Sequence, residues 1–285
     1  MVHRRVLVTL NQPIDKRNLD ELVILKLGGS VITEKGSKAS LNRLLLEEIA
    51  KELAKVRTKL LLVHGAGSFG HPIAKKYNLH KGYVNSSQLR GVTETKRSML
   101  SLTLMIAEIL AESGVPVVPF LSSSCMIAED GRLIRVDLEP FRIMLDLGLV
   151  PMCSGDVVAD LRMGFSIVSG DQIAVHMADK LNARRVIFGC DVDGVFDSDP
   201  KKNPGAKLIR TITPRTLGRQ MSCIGESTTT DVTKGMLGKI RESEALVARG
   251  GEVIVINLKK PDNLTKLLRG KSIRCTRFIS DPVVT

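Results

Sequence analysis

Tryptophan is absent from the 285-residue chain, and aromatic residues supply only 3% of it. The core must therefore be aliphatic, and no aromatic pair of the kind that stacks RNA bases stands out. Long apolar runs are missing too: nothing approaches the roughly 20 residues that span a bilayer. Behind the basic Met1–Arg5, the run Val6-Leu7-Val8-Thr9-Leu10 is too short for a signal-peptide core. The expectation is a cytoplasmic protein with no membrane partner. CxxC pairs are also missing. The five cysteines, Cys125, Cys153, Cys190, Cys223 and Cys275, are odd in number and scattered. That pattern argues against a zinc set or a disulfide framework and for buried free thiols in a reducing compartment. The aspartates of Asp191-Val192-Asp193-Gly194 lack the rest of an EF-hand loop, so no protein metal ligands are assigned.

What is present is apolar and basic: 43% hydrophobic residues and a formal net charge of +12. The first is enough for one large α/β domain or two fused lobes. The second admits nucleic acid, an anionic membrane or a polyanionic small substrate. The basic residues are dispersed, and no helix-turn-helix spacing stands out. Phosphorylated ligands fit the charge best, and nucleic acid is not expected as a partner.

The chain is organised around Lys26-Leu27-Gly28-Gly29-Ser30, which closes the aliphatic run Leu22–Leu25. Such a run reads as a buried strand. Two glycines at its end let backbone amides approach a ligand, and Lys26 adds a positive charge; α/β proteins bind phosphate at such strand ends. Residues 31–38 read as a loop, and Ser40 as the cap of a helix to about Val56 with Leu45, Ile49, Leu53 and Val56 inward. A second strand, Lys59–Val63, completes a right-handed parallel βαβ unit. It runs into His64-Gly65-Ala66-Gly67-Ser68-Phe69-Gly70-His71-Pro72, a second glycine cradle that would lie beside the first. Two neighbouring cradles suit two phosphate groups approaching each other. Neither matches a P-loop or the dinucleotide fingerprint.

A long helix is expected from Ser86 to Ser113, its stripe of Met99, Leu102, Met105, Ile106, Ile109 and Leu110 packing as core and placed to wall an apolar pocket. Further strands are read at Val115–Phe120, Val150–Cys153, Arg185–Gly189, Glu252–Ile256 and Ile273–Ile279, with one near Lys207–Ile212 in a polar, loop-rich stretch. Asp130-Gly131 marks one hairpin, and 154–160 with 164–168 a second, a candidate flap. Short helices are read at Leu138–Leu147 and Asn263–Leu268. Ser169-Gly170-Asp171 opens a helix through Lys180, with Asp171 favourable in the first turn. The last long helix is entered through Thr228–Lys239 and reaches about Ala248. Alternating strands and helices imply a mainly parallel sheet covered on both faces.

In order, KLGGS, a lysine loop, HGAGSFGH, SGDQ at a helix start, GCDVDGVF after a strand and DVTKGMLGK resemble the amino acid kinase superfamily across about residues 21–285. Within it, HGAGSFGH, ending in a histidine and followed by Pro72, is similar to the archaeal-type isopentenyl phosphate kinases of the alternative mevalonate route. The resemblance implies a three-layer αβα sandwich whose N-terminal half holds the phosphate acceptor and whose C-terminal half holds ATP. It implies transfer of the ATP γ-phosphoryl group to isopentenyl phosphate, with Mg²⁺, commonly in a homodimer. By motif position it assigns Lys26, Gly28, Gly29 and Ser30 to the transferring phosphates and Lys35 to the transition state. Ala66 and Gly67 fall between acceptor and nucleotide, His71 and Gly170 at the acceptor, and Asp171 is the organiser of the lysines. Asp191, Gly235 and Lys239 match nucleotide positions. His64 is read as structural. Residues 1–20 depart from the family pattern, an extension that adds an edge strand or stays mobile. Rival acceptors on the same fold are fosfomycin, another small phosphate or phosphonate, a carboxylate or UMP; a nucleotide sensor or a nucleic-acid binder are the rivals of another class.

Overall fold

The structure is a computed structural model that describes residues 21–34, 39–198, 200, 202–221 and 235–281. The expected N-terminal extension, Lys35, Cys223 and the entry to the last helix through Lys234 lie outside the described residues.

Strand β1 (Val23–Leu27) is buried at every residue and is the axis of the molecule. It leads into a short helix, α1 (Gly29–Ile32), then α2 (Arg43–Leu53), β2 (Leu60–His64), α3 (Gly67–Lys76) and the long α4 (Ser87–Glu112). Next come β3 (Val117–Pro119), α5 (Ser122–Cys125), the hairpin β4 (Met126–Glu129) and β5 (Arg132–Val136), α6 (Glu139–Asp146) and β6 (Val150–Ser154). The hairpin β7 (Asp156–Asp160) and β8 (Gly164–Val168) precedes α7 (Gly170–Lys180) and β9 (Arg185–Cys190). The chain continues through β10 (Val195–Phe196), β11 (Leu208–Ile209), β12 (Thr211–Ile212), α8 (Pro214–Met221), α9 (Gly235–Ala248), β13 (Glu252–Asn257), α10 (Asn263–Leu268) and β14 (Thr276–Phe278).

Eight strands form the central sheet in the order β12-β14-β13-β9-β1-β2-β6-β3. Every pairing in it is parallel except β13 with β14. Because side chains alternate along a strand, β1 feeds both faces. Ile24 packs with Ile173, Met177 and Val247 under α7 and α9, while Val23, Leu25 and Leu27 pack with Ile49, Leu102 and Ile106 under α2 and α4. This is the mainly parallel, doubly covered sheet that the alternation of elements implied and the αβα sandwich that the family resemblance implied. The two hairpins form a second, four-stranded sheet in the order β5-β4-β7-β8.

The positions of the long elements agree with the sequence expectations, and several local readings are corrected. Val31 and Ile32, read as loop, close the short helix α1 instead, because their amides both bond back to Gly28 O. Ser40 does not cap α2; its hydroxyl donates to Glu34 Oε2 at 2.9 Å, and the helix starts at Arg43 and ends at Leu53. Leu46, not Leu45, is its fully buried leucine. The polar stretch after residue 201 hides α8, and the single strand read there divides into β11 and β12 in different sheets. The Asp130-Gly131 turn is as expected, with both residues at positive φ (48° and 75°), the primed geometry that matches strand twist.

Candidate active site

Strands β1, β2, β6 and β9 are parallel, so their C-terminal ends open on one edge. The exits of β1, β2 and β6 are glycines (Gly28, Gly65 and Gly155) whose backbones are closely packed. A Cβ on Gly29 would lie 2.6 Å from Gly67 N, and one on Gly155 would lie 2.6 Å from Gly170 N; any side chain would drive these backbones apart. Thr33 ties the first two exits together, donating its hydroxyl to Gly29 O at 2.7 Å and accepting from Ser68 N at 3.0 Å. Helices α1, α3 and α7 therefore begin side by side. No side chain caps α1 or α3, whereas Ser169 Oγ caps α7 by accepting from Gln172 N at 3.1 Å. Helix N-termini grouped in this way favour an anion.

The charges are concentrated at one carboxylate. Asp171, in the first turn of α7, is 1% exposed. Its Oδ1 meets Lys26 Nζ from β1 at 2.6 Å, and its Oδ2 meets Lys239 Nζ from α9 at 3.1 Å. Burial alone would push this carboxyl up. The charges of Lys239 and Lys26, with their hydrogen bonds, outweigh burial and hold it below the usual carboxylate range. Capping, the ordinary role for an acidic residue there, belongs instead to Ser169. Beside this bridge Ser30 Oγ donates to Asp191 Oδ1 at 3.0 Å, closing β1 against the loop after β9.

The structure brings Lys26, Gly28, Gly29, Ser30, Ala66, Gly67, Gly170, Asp171, Asp191 and Lys239 to this edge. Ala66 precedes α3, Gly170 is the first residue of α7, and Gly235 opens α9 one turn before Lys239. His71 is half-buried on α3, one turn beyond Gly67. His64 is fully buried: Nε2 is 2.9 Å from Thr103 Oγ1 and Nδ1 is 3.1 Å from Gly65 O. Burial lowers its pKa to about 4, a neutral structural imidazole as expected.

Sequence reasoning missed Thr33, Thr103 and the pair Lys96–Asp156. Thr103 interrupts an apolar helical stripe, and that interruption was the available signal. Among the described residues no group of three or more His, Cys, Asp or Glu side chains is placed to hold a metal ion, and no helix is long and apolar enough to cross a membrane.

A family model described as the amino acid kinase family matches residues 21–257. The chain belongs to the amino acid kinase family. Among its relatives in the family, isopentenyl phosphate kinase of Methanothermobacter thermautotrophicus is 39% identical, covering 90% of this chain and 98% of that one. The enzyme of the same name from Methanocaldococcus jannaschii is 33% identical, over 88% and 96%. A solved structure of an isopentenyl phosphate kinase superposes with a TM-score of 0.79 at 38% identity, covering 90% of this chain and 100% of that one.

Proposed function

We propose that this chain is an ATP-dependent phosphotransferase that converts isopentenyl phosphate to isopentenyl diphosphate, a step of isoprenoid biosynthesis. The observation that carries the reading is the buried Lys26–Asp171–Lys239 bridge at the glycine-lined strand edge. The relatives named isopentenyl phosphate kinase support the choice of acceptor.

Two anions must meet for this reaction. An oxygen of the acceptor phosphate bonds to the γ-phosphorus of ATP while the bond from that phosphorus to the β,γ-bridging oxygen breaks, and ADP leaves with the electron pair. Charge spreads over the equatorial oxygens, so positioning and electrostatics are the work of the protein. The acceptor oxygen is already ionised near neutrality, so no general base is required. Asp171, with both oxygens committed to ammonium groups, serves as organiser rather than base. It holds Lys26 and Lys239 at fixed positions beside the transferring phosphates, and the amides of Gly28, Gly29 and Gly67 with Ser30 complete the cradle. Ala66 and Gly67 lie between the reactants. His71 and Gly170 contact the acceptor phosphate, Lys35 stabilises the transition state, and Asp191 and Gly235 contact the nucleotide. The N-terminal half thus holds the acceptor and the C-terminal half ATP.

Mg²⁺ fits this donor set only as a metal carried on the nucleotide, with phosphate oxygens and water as most of its ligands. Its contribution when bound is to neutralise phosphate charge. A homodimer is proposed through α4, which presents Leu89, Leu100 and Leu104 to solvent. A cytoplasmic location agrees with the four described cysteines all being free thiols.

The test is ADP release, coupled to a reporter enzyme, over a panel of isopentenyl phosphate, dimethylallyl phosphate, longer prenyl phosphates, fosfomycin, UMP and acetylglutamate. Isopentenyl phosphate should give the highest kcat/KM. Preference for fosfomycin would replace the acceptor while keeping the site; turnover of none would remove the reading.

A further inference from the structure

A second ion pair lies at the acceptor side of the same edge. Lys96 of α4 contacts Asp156, the first residue of β7, whose side chain is 3% exposed against 28% for Lys96. Asp156 follows Gly155, whose amide donates to His64 O at 3.0 Å and whose Cα is pressed on Gly170. On α4, Lys96 shares a stripe with Met99 and Thr103. The sulfur of Met99 is 3.0 Å from where a Cβ on Gly70 would lie, next to His71, and Thr103 holds His64. Lys96 therefore lies on the helix that packs against α3, the carrier of His71, and its ammonium reaches the residue after Gly155, which packs on Gly170.

The two members of the pair are used differently. Asp156 is committed: Oδ2 meets Lys96 and Oδ1 accepts from Val157 N at 2.8 Å. Lys96 has three donors, and among the described residues Asp156 is its partner. Beside it the hydroxyl of Thr95 is buried with no hydrogen-bond partner among the described residues. A buried pair of this kind adds little stability over an apolar pair of the same shape, because desolvation offsets the attraction. Its presence on a helix that is otherwise packed into the core at Met99 and Thr103 asks for another use.

We propose that Lys96 is an acceptor-binding residue, an ammonium aimed by Asp156 at the phosphate group of the substrate that His71 and Gly170 face. The proposal rests on the phosphate-acceptor reading above. Asp156 is then a positioning residue.

The experiment compares the full chain with Lys96→Met, Lys96→Gln, Lys96→Arg and Asp156→Asn, varying isopentenyl phosphate and ATP separately. Loss of one charge-assisted hydrogen bond should raise KM for isopentenyl phosphate about tenfold or more in Lys96→Met and Lys96→Gln. KM for ATP should stay within about twofold, and Lys96→Arg should restore most of the loss. Asp156→Asn keeps the cation but loosens its aim, so KM for the acceptor should rise by about threefold, less than in Lys96→Met, with KM for ATP unchanged. A pair that serves only as a strut would make Asp156→Asn and Lys96→Met equally defective, and that result overturns the proposal, as does an unchanged acceptor KM. Wild-type turnover tests the underlying reading separately. If the wild type prefers another phosphate monoester of the panel, the variants are compared on that one; if it uses no phosphate-bearing acceptor, both ideas fall.

Discussion

His64 provides a pH-dependent stability whose size follows from its surroundings. The imidazole is fully buried between Thr103 and Gly65 O, and its pKa falls from the ordinary 6.5 to about 4. In the unfolded chain it titrates near 6.5, so between these two values the unfolded state takes up a proton that the folded state refuses. Stability is therefore fully present above pH 6.5 and declines as the pH falls toward 4. The window of roughly 2.5 pH units corresponds to about 3 kcal/mol at 1.36 kcal/mol per unit. For a chain of this size that is on the order of 10 °C in Tm. His64→Gln keeps a neutral hydrogen-bonding group and removes the titration. Urea midpoints measured from pH 7.5 to 4.5 should fall steeply in the wild type and distinctly less in the variant. His176, pulled below its usual range by burial and by the nearby Lys180 and Arg132, contributes equally to both proteins and cancels in the difference. Asp160 titrates elsewhere. Burial would raise its carboxyl, but the amides of Met163, Gly131 and Arg162 hold it at about 2, so its contribution is lost only as the pH falls below the ordinary carboxylate range. Equal slopes for wild type and His64→Gln between pH 6.5 and 4.5 would refute the assignment of His64 as a buried neutral base.

Asp171→Asn leaves two buried ammonium groups without a counter-charge and should cost about 3 kcal/mol in the free protein; ATP, which resupplies negative charge, should raise its Tm more than that of the wild type, and calorimetry with and without nucleotide decides this. His71→Ala should raise KM for isopentenyl phosphate with the melting temperature and KM for ATP little changed; unaltered acceptor kinetics would count against the acceptor assignment. Gly155→Ala places a Cβ 2.6 Å from Gly170 N, a backbone atom, so a loss of about 1–3 kcal/mol together with impaired turnover is expected from denaturation and steady-state assays. Glu52 caps α10 from a distant part of the chain, accepting from Asp262 N at 3.0 Å and Thr265 N at 2.8 Å. Glu52→Gln should lower stability by about 1 kcal/mol without affecting kcat, as denaturant midpoints and turnover would show.

The parts of the fold legible in the sequence were those with a strong period or hard punctuation. The aliphatic run of β1, the long stripe of α4 and the Asp130-Gly131 turn each carry a physical signal within a few residues. The glycine cradles were legible for the same reason, since glycines clustered at the end of an aliphatic strand mark a backbone that something must approach closely. What escaped depended on contacts between distant segments. Asn42 precedes α2 without any capping bond, so the attractive Ser40 was misleading. The buried carboxylate of Glu52 reads as solvated helix surface until α10 is placed beside it. By its own spacing Asp171 showed only an acidic first turn, consistent with a cap; the family resemblance alone named it organiser of the lysines, because Lys26 and Lys239 come from opposite ends of the chain. Lys96 carried no local signal at all.

The order of the central sheet has a bearing on how the chain can be divided. Strand β1, first of the described strands, lies between β2 and β9, so one of its two edges is completed only by the C-terminal half. A fragment ending before β9 would leave β1 as an edge strand with a bare row of aliphatic strand amides, an open template for self-association. Workers who express the portion before β9 alone should anticipate inclusion bodies rather than a folded module, and split-protein reporters built on this scaffold need a breakpoint that leaves β1 and β9 on the same piece.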